Sequence, residues 1–242
     1  MKTLLFFTIS YLISLSSLGQ KIFGKDTLKA SSGDVAITFI GHGSLLLQWG
    51  EQSIYIDPSS RQADLYKLPK ADMLFVTHHH NDHCDPAALK ALSNSGTKTF
   101  MSEIAHEKWH QGMVLYPEQQ LSIDGVGITV LPAYNLIHKN EEGELYHKEG
   151  QGNSYILTLG DLRIFIGGDT ENTPEMKALK NIDAAFLPMK LPYTMNPAMV
   201  VDAVKAFKPK VLYPYHYDRK LLPELTELMK NVPEVELRIR KN

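Results

Sequence analysis

The sequence predicts an α/β protein in which two β-sheets pack together with helices outside. Three observations point that way. Short β-like runs crowd the first half of the chain, strand and helix patterns alternate in the second half, and no repeat, linker or low-complexity segment divides the two. At 242 residues the chain suits one large domain. A domain of this size buries roughly 70–75% of the surface its unfolded chain exposes, so it needs no disulfide staples. A single domain over residues 20–242 is expected.

The elements follow in order. After a polar stretch at 25–34, the runs 35–40, 44–49 and 53–56 are bounded by Gly, Glu-Gln or Asp-Pro turn chemistry and read as a meander at a sheet edge. Residues 73–76 are wholly apolar and stop abruptly at Thr77, which fits a strand buried on both faces. Residues 86–92 read as a helix with Pro in its first turn, 98–101 as a strand, and 103–111 as a helix with Gly112 as its C-cap. Strands are expected at 120–123, 128–131, 154–159 and 162–166, the last two forming a hairpin through Gly160-Asp161. Thereafter strand (184–187), helix (197–207), strand (211–213), helix (223–230) and strand (235–239) alternate.

Composition narrows the function classes. Hydrophobic residues make up 43%, charged residues 21%, and the net charge is −2. The one basic run is the short tail at 238–241. No basic face or stripe predicts a nucleic-acid partner. At the other end, Lys2 precedes an apolar stretch at 4–18, and Ser17-Leu18-Gly19 offers the small residues that a signal peptidase reads. Residues 1–19 therefore read as a signal peptide with export to the periplasm or beyond. The apolar stretch is short of the ~20 residues that a membrane span needs, so no stable membrane insertion is expected after cleavage. Cys84 has no partner in the chain and reads as a small buried hydrophobe.

The chemistry concentrates in Thr77-His78-His79-His80-Asn81-Asp82-His83, directly after the apolar run at 73–76. α/β proteins place their sites at such strand ends. In an extended segment His78 and His80 face one way and His79 the other, so His79 reads as a non-ligand. Asp82 and His83 then turn away, and one loop can serve two neighbouring cations. Neutral imidazole and carboxylate suit zinc, iron or manganese. Three further donors stand at strand ends or in loops: His147 before the strand at 154, Asp169 after the double glycine Gly167-Gly168, and His216 after the strand at 211. His138, nine residues before His147, competes for the same role.

The pattern His78-x-His80-x-Asp82-His83 resembles the metal signature of the metallo-β-lactamase superfamily. So do, in the family's order, Ile40-Gly41-His42-Gly43-Ser44, Ile56-Asp57-Pro58, Leu131-Pro132-Ala133-Tyr134-Asn135, His147-Lys148-Glu149-Gly150, Gly167-Gly168-Asp169-Thr170 and Pro214-Tyr215-His216-Tyr217. The likeness is greatest to the branch of small stand-alone hydrolases that includes ascorbate phosphate lactonase. It implies an αββα sandwich of two packed mixed β-sheets. It also implies two divalent metal ions, Zn2+ with Mn2+ or Fe2+ as alternatives. His78, His80 and His147 would hold one, Asp82, His83 and His216 the other, and Asp169 would bridge them. A metal-bridging hydroxide would then attack a small ester-type substrate, a lactone, phosphodiester or phosphoester, with Asp82 orienting the nucleophile. Tyr193, His138 and Lys190 are the expected substrate contacts. The sequence departs from the family at Lys148-Glu149 and Asn153-Ser154, which bears on loop shape and substrate.

Rival readings are a catalytically silent metal-binding protein, a β-lactam or amide hydrolase, and a redox protein using two irons. A further rival is His106-Glu107-Lys108-Trp109-His110, which matches the H-E-x-x-H signature of zinc proteases on an expected helix. That motif is short enough to arise by chance and lacks a third ligand with its own structural context.

Overall fold

A computed structural model describes residues 23–240. The expected leader at 1–19 lies outside them. Two seven-stranded mixed sheets face one another. The first runs in chain order through β1 (Gly24–Leu28), β2 (Val35–Gly41), β3 (Ser44–Trp49), β4 (Gln52–Ile56), β5 (Met73–Val76), β6 (Lys98–Met101) and β7 (Met113–Val114). The second comprises β8 (Gln120–Ile123), β9 (Val126–Ala133), β10 (Gly152–Leu159), β11 (Leu162–Ile166), β12 (Ala184–Met189), β13 (Val211–Tyr217) and β14 (Glu236–Leu237), also in sequential order. Helices α1 (Pro86–Leu92) and α2 (Glu103–Trp109) cover the first sheet, and α3 (Pro174–Lys177), α4 (Pro197–Phe207) and α5 (Leu222–Met229) the second. The expected αββα sandwich is what the chain forms.

Alternation decides which side chains go where. In β5, Met73 and Phe75 enter the layer between the sheets, while Leu74 and Val76 pack under α1 and α2. A strand with both faces covered has no position for a polar residue, which is why this run reads as uninterrupted hydrophobe. The central layer is aromatic-rich: Phe186 stacks on Tyr213 with ring centroids 4.9 Å apart, and Phe75 stacks on Phe100 at 4.9 Å. α4 begins on an Asn196 side chain that accepts from Met199 N, with Pro197 following, and it buries Val200, Val201, Val204 and Phe207.

Most expected elements stand within a residue or two of their places, and the hairpin at Gly160-Asp161 pairs Leu159 with Leu162. Several differ. The last strand shrinks to two residues, the strand expected at 211–213 runs on to Tyr217 and takes in His216, β7 and α3 were not expected, and β1 lies mostly within the polar stretch at 25–34. α2 ends at Trp109, with His110 in a left-handed cap (φ 59°) ahead of Gly112. β1 was hidden because only Leu28 of its five residues joins the core. It pairs with β2 through its backbone, and Asp26 reaches across the sandwich. The Asp26 carboxylate accepts from Tyr213 Oη (2.8 Å), Arg238 Nη1 (3.4 Å) and Arg240 Nη2 (2.5 Å), tying the first strand to the second sheet and to the end of the described chain.

Partial burial raises the Asp26 pKa, but the Tyr213 hydroxyl, the Thr27 amide and the two arginines outweigh it and hold the group below 3.8. The folded value is below the unfolded one, so its stabilisation is present above pH 3.8 and is lost as pH falls through the lowered value. Asp26→Asn should cost about 1–3 kcal/mol at pH 7. In urea unfolding at a series of pH values, the gap to wild type should narrow below pH 3.8; a gap that stays constant would rule out the charge as its source.

Candidate metal centre

β5 delivers the histidine loop to one edge of the sandwich, and a buried carboxylate fixes its start. Asp57 follows β4 in the left-handed region (φ 42°) and is fully buried. One of its oxygens accepts from Thr77 N (2.7 Å), the other from Thr77 Oγ1 (2.7 Å), and His83 Nδ1 lies 2.8 Å from the latter oxygen. With its Nδ1 proton donated to Asp57, His83 presents Nε2 to the site. The loop then reverses: His83 N and Cys84 N both donate to His80 O (3.0 and 2.7 Å). That turn puts Asp82 and His83 on a different side from His78 and His80.

The remaining donors arrive from the second sheet. β11 is followed by Gly167-Gly168, and a Cβ on Gly168 would sit 2.9 Å from Thr77 Cβ, so only glycine lets this turn (φ 64°) approach the histidine loop. Asp169 follows directly. His216 occupies the register irregularity opposite Pro188 and Met189, again with positive φ (45°). His147 precedes β10 on its loop, and its Nδ1 lies 2.6 Å from Asn135 Oδ1, which aims Nε2 at the cluster.

The donor atoms converge in two overlapping sets. In the first, His80 Nδ1 lies 3.1 Å from His78 Nε2 and 3.2 Å from His147 Nε2. In the second, Asp82 Oδ2 lies 3.6 Å from His216 Nε2 and 3.8 Å from His83 Nε2, with His42 Nε2 alongside at 2.9 Å. Asp169 stands between them: Oδ2 is 3.4 Å from His147 Nε2 and 3.6 Å from His216 Nε2, and Oδ1 is 3.4 Å from His83 Nε2. Bonds of about 2.0–2.2 Å put two donors of one zinc-like ion some 3–4 Å apart, the spacing seen here.

Electrostatics suit cations. Burial lowers the pKa of His78, His80 and His147, aided by neighbouring imidazoles, and keeps them in the neutral form that binds metals. Burial favours protonation of Asp169, yet His216, His83 and His147 outweigh it and hold the carboxyl ionised. His83 Nε2, Asp169 Oδ1 and His216 Nε2 are buried atoms with no hydrogen-bond partner among the described residues. Orphaned buried donors and acceptors are costly, and a cation resolves all three at once. The residues present fit the expected metals.

All seven expected donors are thus brought together. His79 and Cys84 join neither set: Lys108 Nζ donates to the His79 carbonyl (3.0 Å), and Cys84 is packed under α1 and α2, where burial pushes its thiol up to about 11. Of the competing pair, His147 enters the cluster, whereas His138 Nδ1 lies 2.7 Å from Glu171 Oε1. The protease-like motif dissolves, because the helix stops before His110 and neither His106 nor His110 joins a donor group among the described residues.

Above the donors lies an open cleft of about 620 Å3, whose walls include Lys190, Tyr193, Tyr146, Lys148 and Gln151. Tyr146 and Tyr193 meet edge to face, with centroids 4.9 Å apart. His138 is not among the lining residues; it turns towards Glu171 instead. Sequence reasoning gave no role to Asn135 and His42, which it met only inside family-like segments, and passed over Glu171. The Glu171 carboxylate is fully buried and accepts from Leu136 N (2.7 Å), Ile137 N (2.8 Å), His138 N (2.8 Å) and Asn135 Nδ2 (2.9 Å). It therefore fixes the loop that carries Asn135, and through Asn135 it fixes His147. An acidic residue two places after Asp169 was the only signal available, and a lone Glu in a turn is usually solvated.

Comparison with known proteins agrees with this geometry. A family model for the β-lactamase superfamily domain matches residues 36–216. A metal-dependent hydrolase of Desulforamulus reducens is 30% identical over 191 residues, covering 75% of this chain and 84% of that protein. A crystal structure from Parabacteroides distasonis, described as that of a metal-dependent hydrolase, is 42% identical with a TM-score of 0.85, covering 90% of this chain and 99% of that one. The metallo hydrolase Igni18 of Ignicoccus hospitalis shares the fold at 23% identity and a TM-score of 0.68, covering 85% and 94%.

Glu171→Gln should cost about 2–3 kcal/mol, because hydrogen bonds to a charged acceptor are the strong ones. Hydrogen exchange should show the amides of residues 136–138 exchanging faster, with those of β5 unchanged. Equal acceleration throughout would refute a local clamp.

Proposed function

This chain belongs to the β-lactamase superfamily and is a metal-dependent hydrolase; from that premise we propose an exported enzyme that uses two cations, zinc foremost, to cleave a small ester-type substrate. The observation that carries the dinuclear reading is Asp169, whose two oxygens face donors of both sets. A carboxylate so placed suits a shared ligand better than a donor to either set alone. His78, His80 and His147 would hold one cation, and Asp82, His83 and His216 the other. When bound, such a pair supplies a water acidified towards neutrality and a positive centre for developing oxyanion charge.

The protein's own part is positioning. Asp57 and Asn135 fix the ring orientation of His83 and His147, so that each turns its Nε2 to the site. Asp82, half-buried at the cleft floor, is the group placed to orient a nucleophile. Burial raises its pKa, and its contacts with His216 and His42 drive it far below the usual carboxylate range. It is an acceptor at every working pH. Lys190 and Tyr193 line the wall where a substrate enters, and Lys190 Nζ lies 5.8 Å from the Tyr193 ring centroid. A cation beside two tyrosine rings favours a substrate with an anionic group, which supports a phosphoester, phosphodiester or acidic lactone over a neutral amide.

Metal analysis of the purified protein should find two ions per chain. Chelation should abolish turnover of p-nitrophenyl phosphodiesters or lactones, and zinc or manganese should restore it. Asp169→Ala should lower activity at least 100-fold and weaken both cations together. Unchanged metal content in that variant would exclude a shared carboxylate, and activity surviving complete chelation would exclude metal chemistry altogether.

A further inference from the structure

We propose that His42 is a direct protein donor to the second cation, giving that site three imidazoles and one unshared carboxylate. This rests on the dinuclear reading above and adds a ligand that the His-x-His-x-Asp-His pattern does not contain. His42 Nε2 lies 2.9 Å from Asp82 Oδ2, and its ring centroid is 3.8 Å from that of His216 and 6.2 Å from that of His83. The donor atoms of His42, Asp82, His83 and His216 all lie within 4.8 Å of one another, the spread expected of groups sharing one ion.

The backbone is built to bring this side chain there. His42 sits in the two-residue turn between β2 and β3 with φ 54°, a conformation uncommon for residues with a Cβ, though His, Asn and Asp adopt it more readily than most. Its carbonyl accepts from His216 N (3.0 Å), which couples the turn to the end of β13. The next residue must be glycine. A Cβ on Gly43 would lie 2.9 Å from His83 Cε1 and 3.6 Å from His216 Cδ2, so the turn presses directly against two of the other donors. A surface turn has no reason to hold a constrained histidine against two buried imidazoles, whereas a ligand-bearing turn does. His83 Nε2 and His216 Nε2, both orphaned among the described residues, belong to the same donor group as His42.

The test uses the full chain stripped of metal and titrated with Co2+, followed by calorimetry and visible absorption. His42→Asn keeps a residue that tolerates the left-handed backbone, and His42→Cys offers a thiolate in place of the imidazole. Wild type should take up two ions. His42→Asn should keep one affinity and weaken the other 100-fold or more, while His42→Cys should show a near-ultraviolet thiolate-to-cobalt charge-transfer band. Melting curves of the metal-free proteins should coincide, separating ligand loss from misfolding. Unchanged affinities in His42→Asn overturn the proposal. So does weakened affinity without a charge-transfer band in His42→Cys, since His42 would then act only through Asp82. A wild type that takes up no cobalt sinks the earlier reading and this one together.

Discussion

Asp57 is a fully buried carboxylate that spends its hydrogen bonds on a backbone amide, a hydroxyl and an imidazole of the same loop. Burying a charge is costly unless hydrogen bonds replace its water. Here they do so, and in doing so they anchor Thr77 and set which nitrogen His83 shows to the cluster. Without that anchor the loop after β5 would have neither a fixed start nor a defined tautomer. The other donors would then converge on a set lacking its centre. The metal centre is a consequence of how one acid is satisfied inside the sandwich.

Around this anchor the same device recurs. Thr77 Oγ1 meets His78 Nδ1 at 3.0 Å, and Asn135 meets His147. Behind Asn135, Glu171 gathers three successive amides. These outer groups hold ligands in place before any cation arrives, and pre-positioning of that kind removes an ordering cost from binding. Positive φ at His42, Asp57 and His216 belongs to the same design. Strained backbone of this sort persists only where the surroundings over-determine it, and it gathers at functional sites.

Much of this was legible in the sequence, for identifiable reasons. Strand 73–76 announced itself because both its faces are covered. The histidine cluster, Asp169 and His216 stood out because each closes an apolar run, so that position and chemistry coincided. What escaped notice did so because its logic is long-range. β1 is held by Asp26 reaching Tyr213, Arg238 and Arg240, which lie about two hundred positions away in the chain. Glu171 and Asn135 act through contacts 36 residues apart that no local pattern encodes. His42 was visible only as part of a family-like turn, since a single histidine between glycines carries no periodicity. His147 was preferred to His138 on the family's motif order alone; the physical reason is the loop's path, in which Glu171 holds His138 aside.

The edge-to-face tyrosines at the cleft mouth come from different stretches of chain, Tyr146 from the long loop before β10 and Tyr193 from the segment after β12. Neither stretch carries the carboxylate anchors that organise the floor. Their backbones are nonetheless bound to it: Tyr146 precedes His147 in the chain, and Asn135 Nδ2 donates to the Tyr193 carbonyl (2.9 Å). Side chains at the gate can vary what is admitted only while their main chain keeps its hold on the hearth, so one scaffold diversifies by exchanging rings and not by rebuilding loops.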